Sequence, residues 1–300
     1  MSRRRLLLMV LPVALLAVSG VCLAQRGFRP PGGGGGWRQP GVLPEDRAGI
    51  PNWKVDPKFK NDVFTFVRVE YDSYGGRGGF GGGRRGGFRG GGGGGWLTDW
   101  PDSDLNFSFR LQQLTALKVN PDPISLRLTD PKLLDYPFLY MIEPGRLCFS
   151  EEEVLALRKY LLSGGFLMVD DFWGDAQYEN FHQQIKRVFP DREPEELPLS
   201  HEIFQCVYRL KERPQVPNYQ AAEWGRDRGI TYEFHGPGSE QVHYRGIFDD
   251  KKRMVAIICH NTDLGDGWER EGDNPWYFKE FSEKKAYPMG INIVTYAMTH

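Results

Sequence analysis

No familiar catalytic signature interrupts this sequence. A G-x-S-x-G or cysteine elbow after an apolar run is missing, as are H-E-x-x-H, a G-x-x-x-x-G-K-[ST] loop and a dinucleotide fingerprint outside the glycine run of residues 75–95, whose composition makes any match there, such as GRGGFG, uninformative. Their absence excludes the standard forms of the hydrolases, zinc peptidases, P-loop enzymes and dinucleotide-dependent oxidoreductases. Cysteine is scarce, with four in 300 residues, of which Cys148, Cys206 and Cys259 lie beyond the N-terminal segment. An odd and sparse set is no disulfide framework; it reads as buried free thiols, with at most one pair left open. Cys259 and His260 are adjacent, so on a strand they point to opposite faces and cannot work as nucleophile and base. Positive charge is not in excess either, the whole chain carrying 38 basic and 39 acidic residues. Finally, no apolar run reaches the ~20 residues that span a bilayer as a helix.

The longest apolar run belongs to the N-terminus. Arg3, Arg4 and Arg5 precede about thirteen apolar residues from Leu6 to Val18, and small residues follow to Ala24. This is the three-part layout of a secretory signal, with Cys22 and Ala24 at the small-residue positions of a cut before Gln25. "SRRRLLL" also resembles a twin-arginine signal, whereas Val21 is too bulky for lipid attachment at Cys22. Residues 1–24 therefore read as a signal peptide, the protein as exported to the periplasm or beyond, and no stable membrane span is expected after cleavage. Cleavage removes three arginines and leaves 35 basic against 39 acidic residues, a net charge of −4. Such a chain has no general attraction for nucleic acid or an anionic membrane.

Glycine is abundant in two places. Residues 25–52 form a glycine- and proline-rich leader containing the run Gly32–Gly36, of the kind that links a cleavage site to a folded domain. Between Gly75 and Gly95 stand fifteen glycines, four arginines and two phenylalanines. That composition cannot bury enough apolar surface to offset its ordering entropy, so residues 73–95 are predicted to be a disordered insertion. Arginine with aromatics suits nucleic acid, but export and the acidic balance argue against that partner. The insertion reads as a surface loop at the carboxyl end of a strand.

The remainder, residues 53–300, alternates strands and helices. "FTFVRVEY" (64–71), "PFLYMIE" (137–143), "FLMVDDF" (166–172) and "MVAIICH" (254–260) read as strands. Asp104 or Asn106 is expected to cap a helix bearing Phe107, Leu111, Leu114 and Leu117 on one side. Ser150 and Glu153 form a capping box ahead of a stripe of Val154, Leu155, Leu157, Leu161 and Leu162. A helix is expected near "NFHQQIKRVF" and a closing one over "MGINIVTYAMTH", with a glycine- and acid-rich loop before it. His201 follows a proline-containing turn and reads as a packing or capping residue. Unbroken apolar strands separated by amphipathic helices predict an α/β domain: a mainly parallel sheet with helices on both faces.

Ligands in open α/β sheets bind beyond the carboxyl ends of the strands. Read in turn, those ends carry Glu70 and Asp72, Glu143, Asp170 and Asp171, then His260, Asn261 and Asp263, while "TDWPDSD" adds Asp99, Asp102 and Asp104. Arg68, inside the first strand, needs a carboxylate partner. An acidic rim with a histidine suits a divalent cation, for which Asp171 and Asp263 are the candidate ligands, or general acid and base groups. The alternative is that aspartates after strands only cap helices and bind loop amides. "NTDLGDGWEREGDN" has a calcium-like composition without EF-hand spacing.

The blocks "FTFVRVEY", "WLTDWPDSDLNFSFRLQQLT", "DYPFLYMIEPG", "LSGGFLMVDDFWG", "HEIF", "HYRGIFDDKKRMVAIICHNTDLGDGWE" and "YPMGINIVTYAM" together resemble the bacterial family DUF4159, a domain of unknown function, over roughly residues 60–300. The resemblance implies a flavodoxin-like, class I glutamine amidotransferase-like fold, without the catalytic cysteine elbow of true amidotransferases. Two functions follow. One is a non-catalytic module that binds an envelope protein or glycan, with Glu143, Asn261, Asp263 and Arg68 facing the ligand. The other is a metal-assisted hydrolase of an envelope or polysaccharide substrate, with Asp170, Asp171, Asp99, Asp102 and His260 around the site.

Overall fold

The computed structural model describes residues 42–59, 62–74 and 95–300. Residues 1–24, expected to be a signal peptide, the leader up to residue 41 and residues 75–94 of the expected 73–95 insertion lie outside the described residues. The insertion's margins are held, Ser73 bridging to Leu147, Tyr74 N donating to the Arg146 carbonyl and Gly95 opening a turn. In chain order the elements are β1 (Val67–Glu70), α1 (Asp102–Leu114), β2 (Ile124–Arg127), β3 (Phe138–Ile142), α2 (Glu151–Leu162), β4 (Phe166–Asp170), α3 (Gly174–Val188), β5 (Glu195–Glu196), α4 (Tyr219–Gly225), β6 (His243–Phe248), β7 (Met254–His260) and α5 (Leu264–Glu269). A short α6 (Pro275–Tyr277) runs through a π-helical stretch (Phe278–Ala286) into α7 (Tyr287–Thr299).

Seven strands form one sheet in the order β2-β1-β3-β4-β7-β6-β5. Only β6 opposes the rest, pairing antiparallel with both β7 and β5. The central registers are set by side chains that must share a face, as in Phe138 beside Phe166 and Met168 beside Ile257. One core cluster packs Phe66, Tyr140, Met168 and Ile257 against Phe107 of α1, Trp268 of α5 and Ile291 of α7. The other packs Val69, Leu139, Val169 and Ile258 against Leu157 of α2 and Ile185 of α3. Helices thus cover both faces, as the unbroken apolar strands require, and the fold is α/β with a mostly parallel sheet.

The elements differ from expectation in places that have local causes. Helix α1 begins at Asp102, with Pro101 rather than Asp104 or Asn106 at its N-cap position. Asp104 is drawn inward by Arg68, Leu114 is 49% exposed, and Leu117 lies beyond the helix end at Thr115. The capping box of α2 forms, Glu153 N donating to Ser150 Oγ at 3.1 Å and Ser150 N to Glu153 Oε2 at 2.9 Å. Its apolar stripe is narrower than expected, because Leu155 and Leu162 face outward and Tyr160 takes an inward place. His201 does cap a turn, its Nδ1 accepting from Ile203 N. The acid-rich segment after β7 contains α5, capped by Asp263 and anchored by the buried Trp268.

Candidate functional site

Because β1, β3, β4 and β7 run parallel, their carboxyl ends share one edge. Four backbone residues there take left-handed conformations without being glycine: Asp99 (φ 61°), Glu143 (φ 50°), Asp171 (φ 55°) and Asn261 (φ 61°). Such strain costs about 1–3 kcal/mol per residue and persists where the surroundings over-determine it, most often around functional sites. Here it turns three acidic side chains into one basin behind the strand ends.

The segment bearing Asp99 is pinned from beneath. Arg68, fully buried, donates Nε to Asp104 Oδ1 (3.1 Å), Nη1 to the Trp96 carbonyl (2.9 Å) and Nη2 to Ser103 Oγ (2.9 Å), and also binds Asp104 Oδ2 and the Thr98 carbonyl. These contacts bracket Asp99 on both sides. Arg68 therefore meets a carboxylate as anticipated, but all of its reach is spent inside the protein and none faces a ligand.

Two groups of three carboxylates define the basin. In the first, single oxygens of Asp171, Glu233 and Asp263 lie within 4.8 Å of one another, and each residue is more than nine-tenths buried. Asp171 Oδ1 accepts from Trp173 Nε1 (3.0 Å), and Asp263 Oδ1 accepts from Asp266 N (2.7 Å) at the start of α5. Glu233 accepts from Asn218 N (2.7 Å) and the Asn218 amide, and its neighbour His235 stands 3.3 Å away. In the second group, Asp99, Asp266 and Glu269 approach equally closely. There Arg270 Nε lies 3.2 Å from Asp266 Oδ1 and Nη2 lies 2.8 Å from Glu269 Oε2.

Negative charge is crowded here, and the carboxyl groups hold their protons accordingly. Burial pushes Asp171 well above the carboxylate range, with Glu143 and Glu233 adding to it; burial does the same to Asp263, with Asp171 and Asp99 adding. Asp99 is raised by burial and then by Glu269 and Asp266. Burial lifts Glu143 to about 7 against a hydrogen bond from Thr98. Burial also lifts Glu269 to about 7, against Arg270 and with Asp266 and Asp102 adding. Asp170, completely buried, is lifted to about 7 by burial although its Oδ2 accepts from Tyr140 OH and Gly265 N, each at 3.0 Å. Its Oδ1 has no hydrogen-bond partner, and neither has the sealed Asp99 Oδ2.

The expected site residues divide on this geometry. Asp171 and Asp263 belong to the first group and Asp99 to the second, Glu143 is near enough for its charge to act on Asp171, and Asp170 is held between Tyr140 and Gly265 without joining either group. Asp102 opens α1 at the Glu269 side and joins neither group of three. Asn261 is consumed by backbone, accepting from Gly174 N (2.8 Å) and donating to the carbonyls of Gly238 and Gln241 (2.6 Å each). Glu70 and Asp72 lie off to the side with Ser125 and Arg127.

His260 is not among the carboxylates. Strand alternation turns it toward α3, where its ring packs 4.9 Å from Phe172 and 5.0 Å from Tyr178, with Nε2 3.2 Å from the Gly174 carbonyl. Burial and then the nearby Arg245 push its pKa down to about 3, which keeps it neutral. The residues that sequence reading did not single out are Glu233, Asp266 and Glu269. The last two lay inside the acidic stretch noted after β7; Glu233, in the excursion between β4 and β6, carries no local signal beyond a neighbouring histidine.

An all-oxygen set of this kind matches hard divalent cations such as calcium, magnesium or manganese. Two surface depressions lie away from it, one of about 420 Å³ beside Arg226, Trp276 and Lys285 and one of about 350 Å³ beside Trp53 and Gln112. No curated protein matches this sequence. The model of a family defined as a domain of unknown function (DUF4159) matches residues 66–298, which include every strand and the whole acidic basin, and the chain belongs to that family.

Proposed function

We propose that this chain is an exported, non-catalytic binding module whose basin takes one divalent cation through Asp171, Glu233 and Asp263 and, through that ion, an oxygen-rich envelope ligand such as a glycan. One observation carries the reading: three nine-tenths-buried carboxylates from distant parts of the chain bring oxygens within 4.8 Å of one another, with no lysine or arginine bonded to them among the described residues and His235 beside Glu233. Like charges so placed repel or remain protonated unless a cation joins them. Export rests on the N-terminal sequence of arginines, apolar core and small residues. The turn of His260 away from the basin removes the histidine around which the hydrolytic alternative was drawn, and the histidine that does stand at the carboxylates, His235, is 3.3 Å from Glu233.

A thermal melt with calcium, magnesium or manganese tests the proposal. An ion at a hundred times its Kd adds about 2.7 kcal/mol, which for a domain of this size raises the Tm by roughly 5–10 °C. Asp263→Asn, which can still cap α5, is expected to abolish the rise. No shift of the wild type with any of the three ions overturns the cation.

A further inference from the structure

The two carboxylate groups of the basin differ in one respect: the second already contains a cation of the chain's own. Arg270 lies across Asp266 and Glu269, and its remaining edge reaches Asp273 at 3.7 Å. A guanidinium is a flat fork with fixed donor directions. It hydrogen-bonds Asp266 through Nε, stands in ion-pair contact with Glu269, whose Oε2 accepts no hydrogen bond from it, and leaves the third carboxylate of the group outside. That third group is Asp99, whose Oδ2 is shut off from solvent and accepts no hydrogen bond, although its ligating oxygen lies within 4.8 Å of those of Asp266 and Glu269. A spherical ion has no such directional restriction and can take oxygens from all three. The Arg270 side chain is 32% exposed, so a route outward is open to it.

We propose that Arg270 stands where a second divalent cation would bind, and so restricts the basin to a single ion; removing its charge opens a second site formed by Asp99, Asp266 and Glu269. The proposal extends the reading of the first site but is measured separately from it.

The experiment is a titration of the full chain with terbium, followed by tryptophan-sensitised luminescence, and with manganese, followed by calorimetry. Trp173, hydrogen-bonded to Asp171, is the built-in antenna for the first position. The wild type is expected to bind one ion, Arg270→Gln two, Arg270→Lys one, and Arg270→Gln combined with Asp99→Asn one again. Two ions in the wild type, or one ion at wild-type affinity in Arg270→Gln, overturns the proposal. No ion in the wild type but one in Arg270→Gln, lost again with Asp99→Asn, upholds it while refuting the first site. If Arg270→Gln does not fold alone, millimolar manganese must restore its folding, because the ion replaces the missing charge; failure to do so also overturns the proposal.

Discussion

Replacing Asp170 by asparagine should make the protein less sensitive to alkaline pH. Asp170 is completely buried, and its carboxyl rises from 3.8 to about 7 in the folded chain, chiefly through burial. A folded-state pKa above the unfolded one means that the native state binds the extra proton. Its contribution is therefore fully present below the unfolded value and is lost as pH rises through the folded one. A shift of about three units corresponds to roughly 4 kcal/mol, of which about 2–3 kcal/mol is lost between pH 5 and pH 8. Asparagine keeps an oxygen for Tyr140 OH and Gly265 N, and its amide takes the place of an oxygen that has no partner. Urea unfolding in a chelator at pH 5 and pH 8 measures the difference. The wild type should lose about 2–3 kcal/mol more than Asp170→Asn between the two. Equal losses in both proteins would refute the reasoning, because the group would then titrate alike folded and unfolded.

Other substitutions probe the supports of the basin. Arg68→Met leaves Asp104 buried without its cation and should cost about 3–5 kcal/mol in chemical denaturation; a loss under 1 kcal/mol would contradict the bracket drawn around Asp99. Ser150→Ala removes one half of the α2 capping box and should cost about 1 kcal/mol without changing ion affinity. Asp171→Asn, which can still accept from Trp173, should fold normally and lose the manganese-induced rise in Tm, so a retained rise would remove Asp171 from the ligand set.

The parts of the fold that could be read from sequence are those where burial on both faces imposes unbroken apolarity. Phe138–Ile142, Phe166–Asp170 and Met254–His260 are of this kind, and their common direction brings Glu143, Asp171 and Asp263 to one edge. Strands β2 (Ile-Ser-Leu-Arg) and β6 (His-Tyr-Arg-Gly-Ile-Phe) escape such reading because, toward the sheet margins, they carry polar groups. Helix α5 is hidden for another reason: Leu-Gly-Asp-Gly-Trp-Glu has poor helix propensity, and tertiary contacts through Asp263 and Trp268 override it. Glu233 was beyond reach, since nothing local distinguishes it and only the path of the chain between β4 and β6 carries it to Asp171.

The clasp that Arg68 makes on Trp96, Thr98, Ser103 and Asp104 has a consequence for how this chain can vary. On the other side of the glycine-rich stretch, Tyr74 N is tied to the Arg146 carbonyl and Ser73 bridges to Leu147. Both stumps are thus moored independently of whatever joins them, and closing a longer connection costs only about 0.6 kcal/mol per doubling. Residues could be gained or shed between positions 75 and 94 over evolutionary time while Asp99 kept its station, which makes this the natural place for the lineage to experiment.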